Sequence, residues 1–232
     1  MRDDLRRIAH AALTFNAPLS DERAGTFVRA LAIAPGRHVL DLGCGWGELL
    51  LRIVEAHPAT TGTGVDTDRT SLDRGRRLAS QRGLHERVDF VEGECARFDD
   101  HGGVVVCVGA SHAWGGVDAA LAALRGRVDD GGLVLFGDGF WAEAPGAVAL
   151  RAIGELPDFD GVLRGAQAAG FRIEQADRST RQEWDAFESA WRSGLERSGD
   201  PDALTLAAER KDEYEHGYRG VLGFAWLVLA PG

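Results

Sequence analysis

Residues Val39 to Leu50 read VLDLGCGWGELL, and no other stretch constrains the fold of this chain as tightly. An apolar run (Val39, Leu40, Leu42) carries an acid, Asp41. It then breaks into alternating glycines at Gly43, Gly45 and Gly47 and resumes as an apolar run suited to a helix. A strand, a glycine turn and a helix N-terminus in direct succession make a ligand cradle, because glycine has no Cβ and lets backbone touch what lies there. The spacing is G-x-G-x-G, with an acid two residues before the first glycine, and not the G-x-G-x-x-G of dinucleotide-binding turns. A carboxylate at Asp41 would repel a pyrophosphate and can meet a cationic ligand group.

From Gly36 onward, short apolar runs alternate with helical patterns, which predicts a parallel sheet wrapped by helices. Strands are expected over residues 37–42, 61–65 (ending at Asp66), 88–92, 103–108 and 133–136, and then over 171–175 and 223–229. The fourth is a near-continuous valine run, as suits a strand covered on both faces. Helices are expected over 47–56, 67–81 and 117–128, the last closed by a turn at Asp130-Gly131-Gly132. A further helical stretch, 145–169, is interrupted at Pro157.

Two segments depart from this alternation. Residues 177–221 hold a polar and aromatic pattern that fits two helices separated near Ser198-Gly199-Asp200-Pro201. A plain hairpin between the sixth and seventh strands would need only a few residues, so this insertion is expected to lie over the sheet's ligand edge as a lid. The first 30 residues read as a second cover: an amphipathic helix, a break at Asn16-Ala17-Pro18, and a helix capped by Ser20. The expected organisation is one domain, 1–232. It divides into an N-terminal cover (1–35), a core (36–176), a helical insertion (177–221) and a last strand (222–232).

Composition excludes some partners. A chain with 26 basic and 36 acidic residues has a net charge of −10, which disfavours nucleic-acid phosphates. The basic clusters, Arg2 with Arg6-Arg7 and Arg74-Gly75-Arg76-Arg77, sit on helical patterns among acids and read as solvated faces. Cys44, Cys95 and Cys107 have no C-x-x-C spacing that would point to zinc or a disulfide framework. No stretch approaches the ~18 apolar residues of a membrane span, and the N-terminus lacks an apolar signal region. A cytoplasmic protein with no membrane and no nucleic-acid partner is the expectation, as a monomer or a homodimer.

The glycine turn, the strand order and the acids at strand ends resemble the class I S-adenosylmethionine (SAM) dependent methyltransferases, in particular stand-alone bacterial ones. The resemblance covers residues 36–176 and 222–230. It implies an α/β fold: a seven-stranded, mostly parallel sheet with helices on both faces. It implies SAM as cofactor and S-adenosylhomocysteine (SAH) as product. It also implies that Asp41 and the backbone at Gly43 and Gly45 hold the methionine end, where an ammonium needs an acceptor once water is displaced. Asp66 lies about 20 residues beyond the turn, the spacing at which a carboxylate accepts ribose hydroxyls, with Thr67 following; the other reading is that Asp66 caps the next helix. Family members commonly carry Gly-Asp-Ala after the third strand, the acid taking the adenine amino group. Here Gly93-Glu94-Cys95 offers a longer acid and a larger neighbour. Gly109, after the fourth strand, resembles the small residues that let an adenosine lie against backbone. Trp46 either flanks the sulfonium or shapes the substrate entrance. Asn16, with Phe15, is placed to touch the cofactor at the break in the N-terminal cover. The string GCGWG also occurs in cyclopropane-forming lipid methyltransferases, whose second substrate signature is absent here.

Methyl transfer needs alignment of acceptor, methyl and sulfur, exclusion of water, and sometimes a base. His112, in the Ser111-His112-Ala113-Trp114 loop after the fourth strand, is the candidate base, since histidine titrates near neutrality. Trp114, Trp141 and Trp184 are the candidate substrate-binding aromatics; the other reading of the insertion's aromatic face is simple packing on the sheet. A metal is not expected, because only Asp138 stands where catechol-type enzymes converge several carboxylates, and Asp138 reads as the end of the fifth strand. The expected activity is methylation of a small molecule, at oxygen or nitrogen ahead of carbon. The alternatives are SAM chemistry without methyl export, such as cyclisation of its aminobutyryl arm, or a non-catalytic SAM-binding regulator.

Overall fold

The computed structural model describes residues 3–232. Seven strands follow the chain as β1 (His38–Leu42), β2 (Thr61–Asp66), β3 (Val88–Glu92), β4 (Gly102–Val108), β5 (Val128–Trp141), β6 (Phe171–Arg178) and β7 (Leu222–Pro231). Among the described residues the α-helices before β5 are α1 (Asp3–His10), α2 (Asp21–Ala30), α3 (Glu48–Ala56), α4 (Arg69–Gln81) and α5 (Val117–Arg125). Those after it are α6 (Ala147–Ile153), α7 (Phe159–Ala168), α8 (Arg181–Ser198) and α9 (Pro201–Glu213). Arg2, counted above with Arg6 and Arg7, lies outside the described residues. No helix among the described residues is long and apolar enough to cross a membrane.

The strands form one sheet in the order β3-β2-β1-β4-β5-β7-β6, with β7 antiparallel to both its neighbours and the other pairs parallel. The order reverses between β1 and β4. Strand-to-helix crossovers leave opposite ways on the two sides of that point, so a crevice opens beyond the carboxyl ends of β1 and β4. The apolar residues of β1 and β4 explain why these strands are central. Val39, Leu40, Leu42, Val105, Val106 and Cys107 are all fully buried, their side chains divided between the helical layers on the two faces. On one face α2, α3 and α4 contribute Phe27, Leu50, Ile53 and Leu72 against Val106, Leu135 and Trp226. On the other, α5 and α7 contribute Leu121, Leu124, Val162 and Ala166 against Leu40, Val105 and Phe136. Burying one such side chain contributes about 1.5–3 kcal/mol.

Most boundaries fall within two residues of expectation; β5 does not. It begins at Val128 and runs through Asp130-Gly131-Gly132, where a turn was expected. Gly131 takes a positive φ of 70°, and the pairing with β4 shifts register between Gly102 and Val104, so the three residues form an irregularity inside the strand. At its other end β5 continues past Asp138 to Trp141 because β7 pairs with it as far as Trp141↔Leu222. Asp138 is therefore inside the strand and does not end it.

The two covers pack on each other as well as on the sheet. Leu5, Ala9 and Leu13 from the N-terminal segment join Trp191, Leu195, Ala203 and Ala207 of α8 and α9 in one buried cluster, which also contains Trp46. Gly194 permits the approach: a Cβ there would stand 2.5 Å from the Ile8 carbonyl oxygen. Thr180 opens α8 with a capping box to Glu183. The same Glu183 carboxylate accepts from the Ser20 hydroxyl at 2.7 Å and from Arg23 Nε at 2.8 Å, tying α2 to α8.

Candidate active site

A cleft of about 480 Å³ lies at the β1/β4 reversal point. Its floor is the glycine turn. Gly43 has φ +77°, and a Cβ there would overlap the Cβ of Ala110, so the β1 turn can approach the β4 turn only without a side chain. Gly45 has φ +56° and open space where a Cβ would stand, which leaves its backbone accessible from the cleft. Gly45 N–H donates to Asp66 Oδ2 at 2.7 Å, and Asp68 N–H to Asp66 Oδ1 at 2.9 Å. Asp66 thus pins the glycine turn across the β1–β2 gap, with each oxygen keeping a second lone pair. Asp68, not Asp66, caps α4, accepting from Thr70 N–H at 3.0 Å and from the Ser71 hydroxyl at 2.7 Å.

Asp41 is the most perturbed acid of the site. It is 4% exposed, lines the cleft, and has no hydrogen-bond partner among the described residues. Burial, with the nearby Asp66 adding repulsion, pushes its carboxyl up to about 8. For an acid this sign favours the protonated form in the folded chain. Its contribution to stability is complete below the ordinary carboxylate range and is lost as pH rises through about 8. A cation placed beside it reverses that balance.

The roof comes from the N-terminal segment: Arg6, His10, Phe15, Asn16, Ala17 and Leu19 all line the cleft. Two core residues clamp it. Trp46 Nε1 donates to the Thr14 carbonyl at 2.8 Å, and Arg74 donates to the His10 carbonyl at 2.8 Å and the Leu13 carbonyl at 2.6 Å. The Arg74 guanidinium lies 4.1 Å from the centre of the Trp46 ring. Arg74 is therefore no solvated cation, contrary to the reading of its basic cluster. The indole of Trp46, 3% exposed, already carries a cation on one face. His10 packs on Trp46 with ring centres 5.6 Å apart, and burial, then the charge of Arg6, lowers its pKa.

All ten residues expected to hold the cofactor line this one cleft. Asp41, Gly43, Gly45 and Trp46 come from β1 and its turn, and Asp66 and Thr67 follow β2. Glu94 and Cys95 follow β3, Gly109 follows β4, and Asn16 comes from the roof. His112 joins them, exposed at the edge. Glu94 is engaged by Arg97 at 3.0 Å on the surface. The three expected substrate aromatics stand elsewhere. Trp114 packs on the α5–α7 layer. Trp141 is buried with Tyr214, Tyr218 and Leu222, and Trp184 packs against that group. Asp138 accepts from Ser111 N–H at 3.1 Å and so shapes the His112 loop. Arg6, His10, Ala17 and Leu19 were not expected among the site residues; no local signal places them there, because only long-range packing brings the N-terminal segment over the cleft.

A seven-stranded sheet of this order, with a glycine cradle at the reversal point and acids at the ends of β1 and β2, defines the class I SAM-dependent methyltransferase fold. Comparisons with known proteins assign the chain to that class. Residues 39–132 match the family model described as a methyltransferase domain. The uncharacterized protein YjhP of Escherichia coli (strain K12) is 29% identical over 208 residues, covering 84% of this chain and 82% of its own length. Its crystal structure superposes with a TM-score of 0.84 over 97% of this chain and 100% of its own. A SAM-dependent methyltransferase from Geobacter sulfurreducens, solved with SAH, has a TM-score of 0.89 at 26% identity, covering 100% of this chain and 99% of that one. Its counterpart from Thiobacillus denitrificans, also with SAH, has a TM-score of 0.87 at 25% identity with the same coverage. The chain is a SAM-dependent methyltransferase, and its cofactor is SAM. The cleft fits that cofactor: a buried carboxylate without a partner awaits a cation, and the open side of Gly45 leaves room beside it.

Proposed function

We propose that this enzyme transfers the methyl group of SAM to a small-molecule acceptor, at oxygen or nitrogen, and releases SAH. The observation that carries the reading is the roof. The cofactor cradle is partly covered by the N-terminal segment (Arg6, His10, Phe15, Asn16, Ala17 and Leu19), which Trp46 and Arg74 hold in place. A partly covered cleft limits water access and favours a compact acceptor over a polymer; the net charge of −10 also argues against nucleic acid.

Bound SAM supplies a methyl group on a sulfonium, open to in-line displacement by a nucleophile. In this reading Asp41 takes the ammonium of the methionine end, Asp66 and Thr67 take the ribose hydroxyls, and Glu94 with Cys95 takes the adenine edge. Asn16, Gly43, Gly45, Trp46 and Gly109 form the surrounding wall. His112, at the rim beyond β4, receives the acceptor's proton on a ring nitrogen. Trp114, Trp141 and Trp184 belong to the acceptor side in this reading. The chain works as one domain over residues 1–232 with the cover, core, insertion and last-strand boundaries given above, in the cytoplasm, as a monomer or homodimer.

Incubation with SAM and panels of phenols, amines and carboxylic acids should yield SAH together with a methylated acceptor. Methylthioadenosine and a cyclised amino acid from SAM alone would overturn the reading, as would tight SAH binding with no turnover on any panel. With an acceptor in hand, His112→Ala should lower kcat about 100-fold while leaving the SAH dissociation constant unchanged. Unaltered turnover would remove His112 from the mechanism.

A further inference from the structure

Two of the other buried indoles in this protein are satisfied. Trp46 donates to the Thr14 carbonyl and Trp226 to the Ser179 hydroxyl, each at 2.8 Å. Trp141 and Trp184 differ: the Nε1 of each is buried and has no hydrogen-bond partner among the described residues. Both rings belong to one aromatic layer, where the chain leaving α9 meets the end of β5. Trp141, 7% exposed, is buried with Tyr214, Tyr218 and Leu222, and Trp184 packs on that group and edge-on to Phe224.

A third orphaned donor borders the same layer. Arg192 Nη1 is buried without a hydrogen bond, and a Glu188 oxygen stands 4.0 Å away. That carboxylate, wholly buried, already accepts from Arg210 at 2.8 and 2.9 Å and from the Tyr218 hydroxyl at 3.0 Å. Every unmet group named here is a donor. Buried donors in native structures are ordinarily paired, so donors that no protein group meets are suited to an acceptor from outside the chain.

The layer adjoins the cofactor cleft through the sheet. Val108 lines the cleft and pairs with Gly137 of β5, and Gly137 and Gly139 pair with Trp226 and Phe224 of β7. Val106, Val108, Phe224 and Trp184 share one core layer on this face of the sheet. On this face of the sheet Phe224 and Trp184 therefore pack in the same layer as Val108 of the cleft wall.

We propose that Trp141 and Trp184 form a subsite for a planar acceptor bearing a carbonyl or carboxylate oxygen, which takes the two indole N–H donors while its ring lies among Tyr214, Tyr218 and Phe224. The inference deepens the small-molecule reading above and rests on it. An anion is favoured there over a cation, since the unmet groups are donors and Arg192 adds positive charge.

The test uses the whole protein, saturated with SAH and labelled with ¹⁵N. The six tryptophans give indole N–H signals, and those of positions 141 and 184 are assigned with Trp141→Phe and Trp184→Phe. Benzoate, benzamide and benzylamine serve as probes. Benzoate and benzamide should both shift these two signals downfield, benzoate binding more tightly, and Trp184→Phe should weaken benzoate about tenfold without moving the SAH dissociation constant. Benzylamine should leave both signals in place. Indole signals that ignore all three probes and show only contact with bound water would overturn the inference, as would an equal response to benzylamine. If Trp141→Phe fails to fold, the wild-type spectrum and Trp184→Phe still decide. SAH binding separates the two levels: loss of SAH binding in the wild type defeats the site itself, whereas SAH binding with silent indoles defeats only this subsite.

Discussion

The floor and the roof of the cleft meet the same ligand space but are built by opposite means. The floor is backbone: Gly43 and Gly45 in left-handed conformations, Asp66 fastening the turn from the next strand, and Asp41 buried beneath it. The roof is side chain: Trp46 and Arg74 reach up to three carbonyls of residues 10–14, and α1 is wedged against Gly194 of α8. A backbone-built floor depends on φ/ψ and tolerates almost no change. A side-chain roof holds by a few long-range contacts and can loosen while the sheet stays intact.

The largest effect should follow from breaking the floor. Gly43→Ala combines a left-handed φ with an overlap on Ala110, and should lower stability by about 3 kcal/mol in urea unfolding and abolish SAH binding. A near-neutral result would show that the β1 and β4 turns can separate freely. Arg74→Ala attacks the roof alone. Losing two hydrogen bonds from a charged group should cost about 2 kcal/mol locally, read as amide exchange about 30-fold faster in residues 8–14, with the unfolding midpoint of the core little changed. Equal loss in roof and core would erase the distinction between them. The smallest change tests the outer tie: Ser20→Ala removes both the α2 cap and a donor to Glu183, and should cost about 1 kcal/mol in thermal or urea unfolding with SAH affinity intact.

The same contrast governs how much could be read from the residues in advance. The floor is local in sequence. A strand, its glycine turn and the acid ending the next strand announce themselves by spacing, and all the expected cofactor residues come to one cleft. The roof is not local. Arg74 bonds to residues more than 60 positions away, and within its own helix it is indistinguishable from the solvated Arg77. β5 was misjudged for a related reason, because only its pairing with β4 and β7 turns Asp130-Gly131-Gly132 from a chain reversal into a bulge. Trp141 and Trp184 were recognised as a group, yet their distance from the cleft wall and their unmet N–H donors belong to the tertiary packing.

The central claim, that the buried carboxylate of the floor receives the cationic end of the cofactor, is tested most directly by calorimetry of SAH binding in buffers of differing ionisation enthalpy. Burial, with Asp66 nearby, pushes the Asp41 carboxyl up to about 8 in the ligand-free chain. Ligand binding at pH 7 should therefore release close to one proton, the release should shrink by pH 8.5, and Asp41→Asn should abolish it while weakening affinity at least tenfold. Proton release unchanged in Asp41→Asn, or wild-type binding with no release at pH 7, would contradict it.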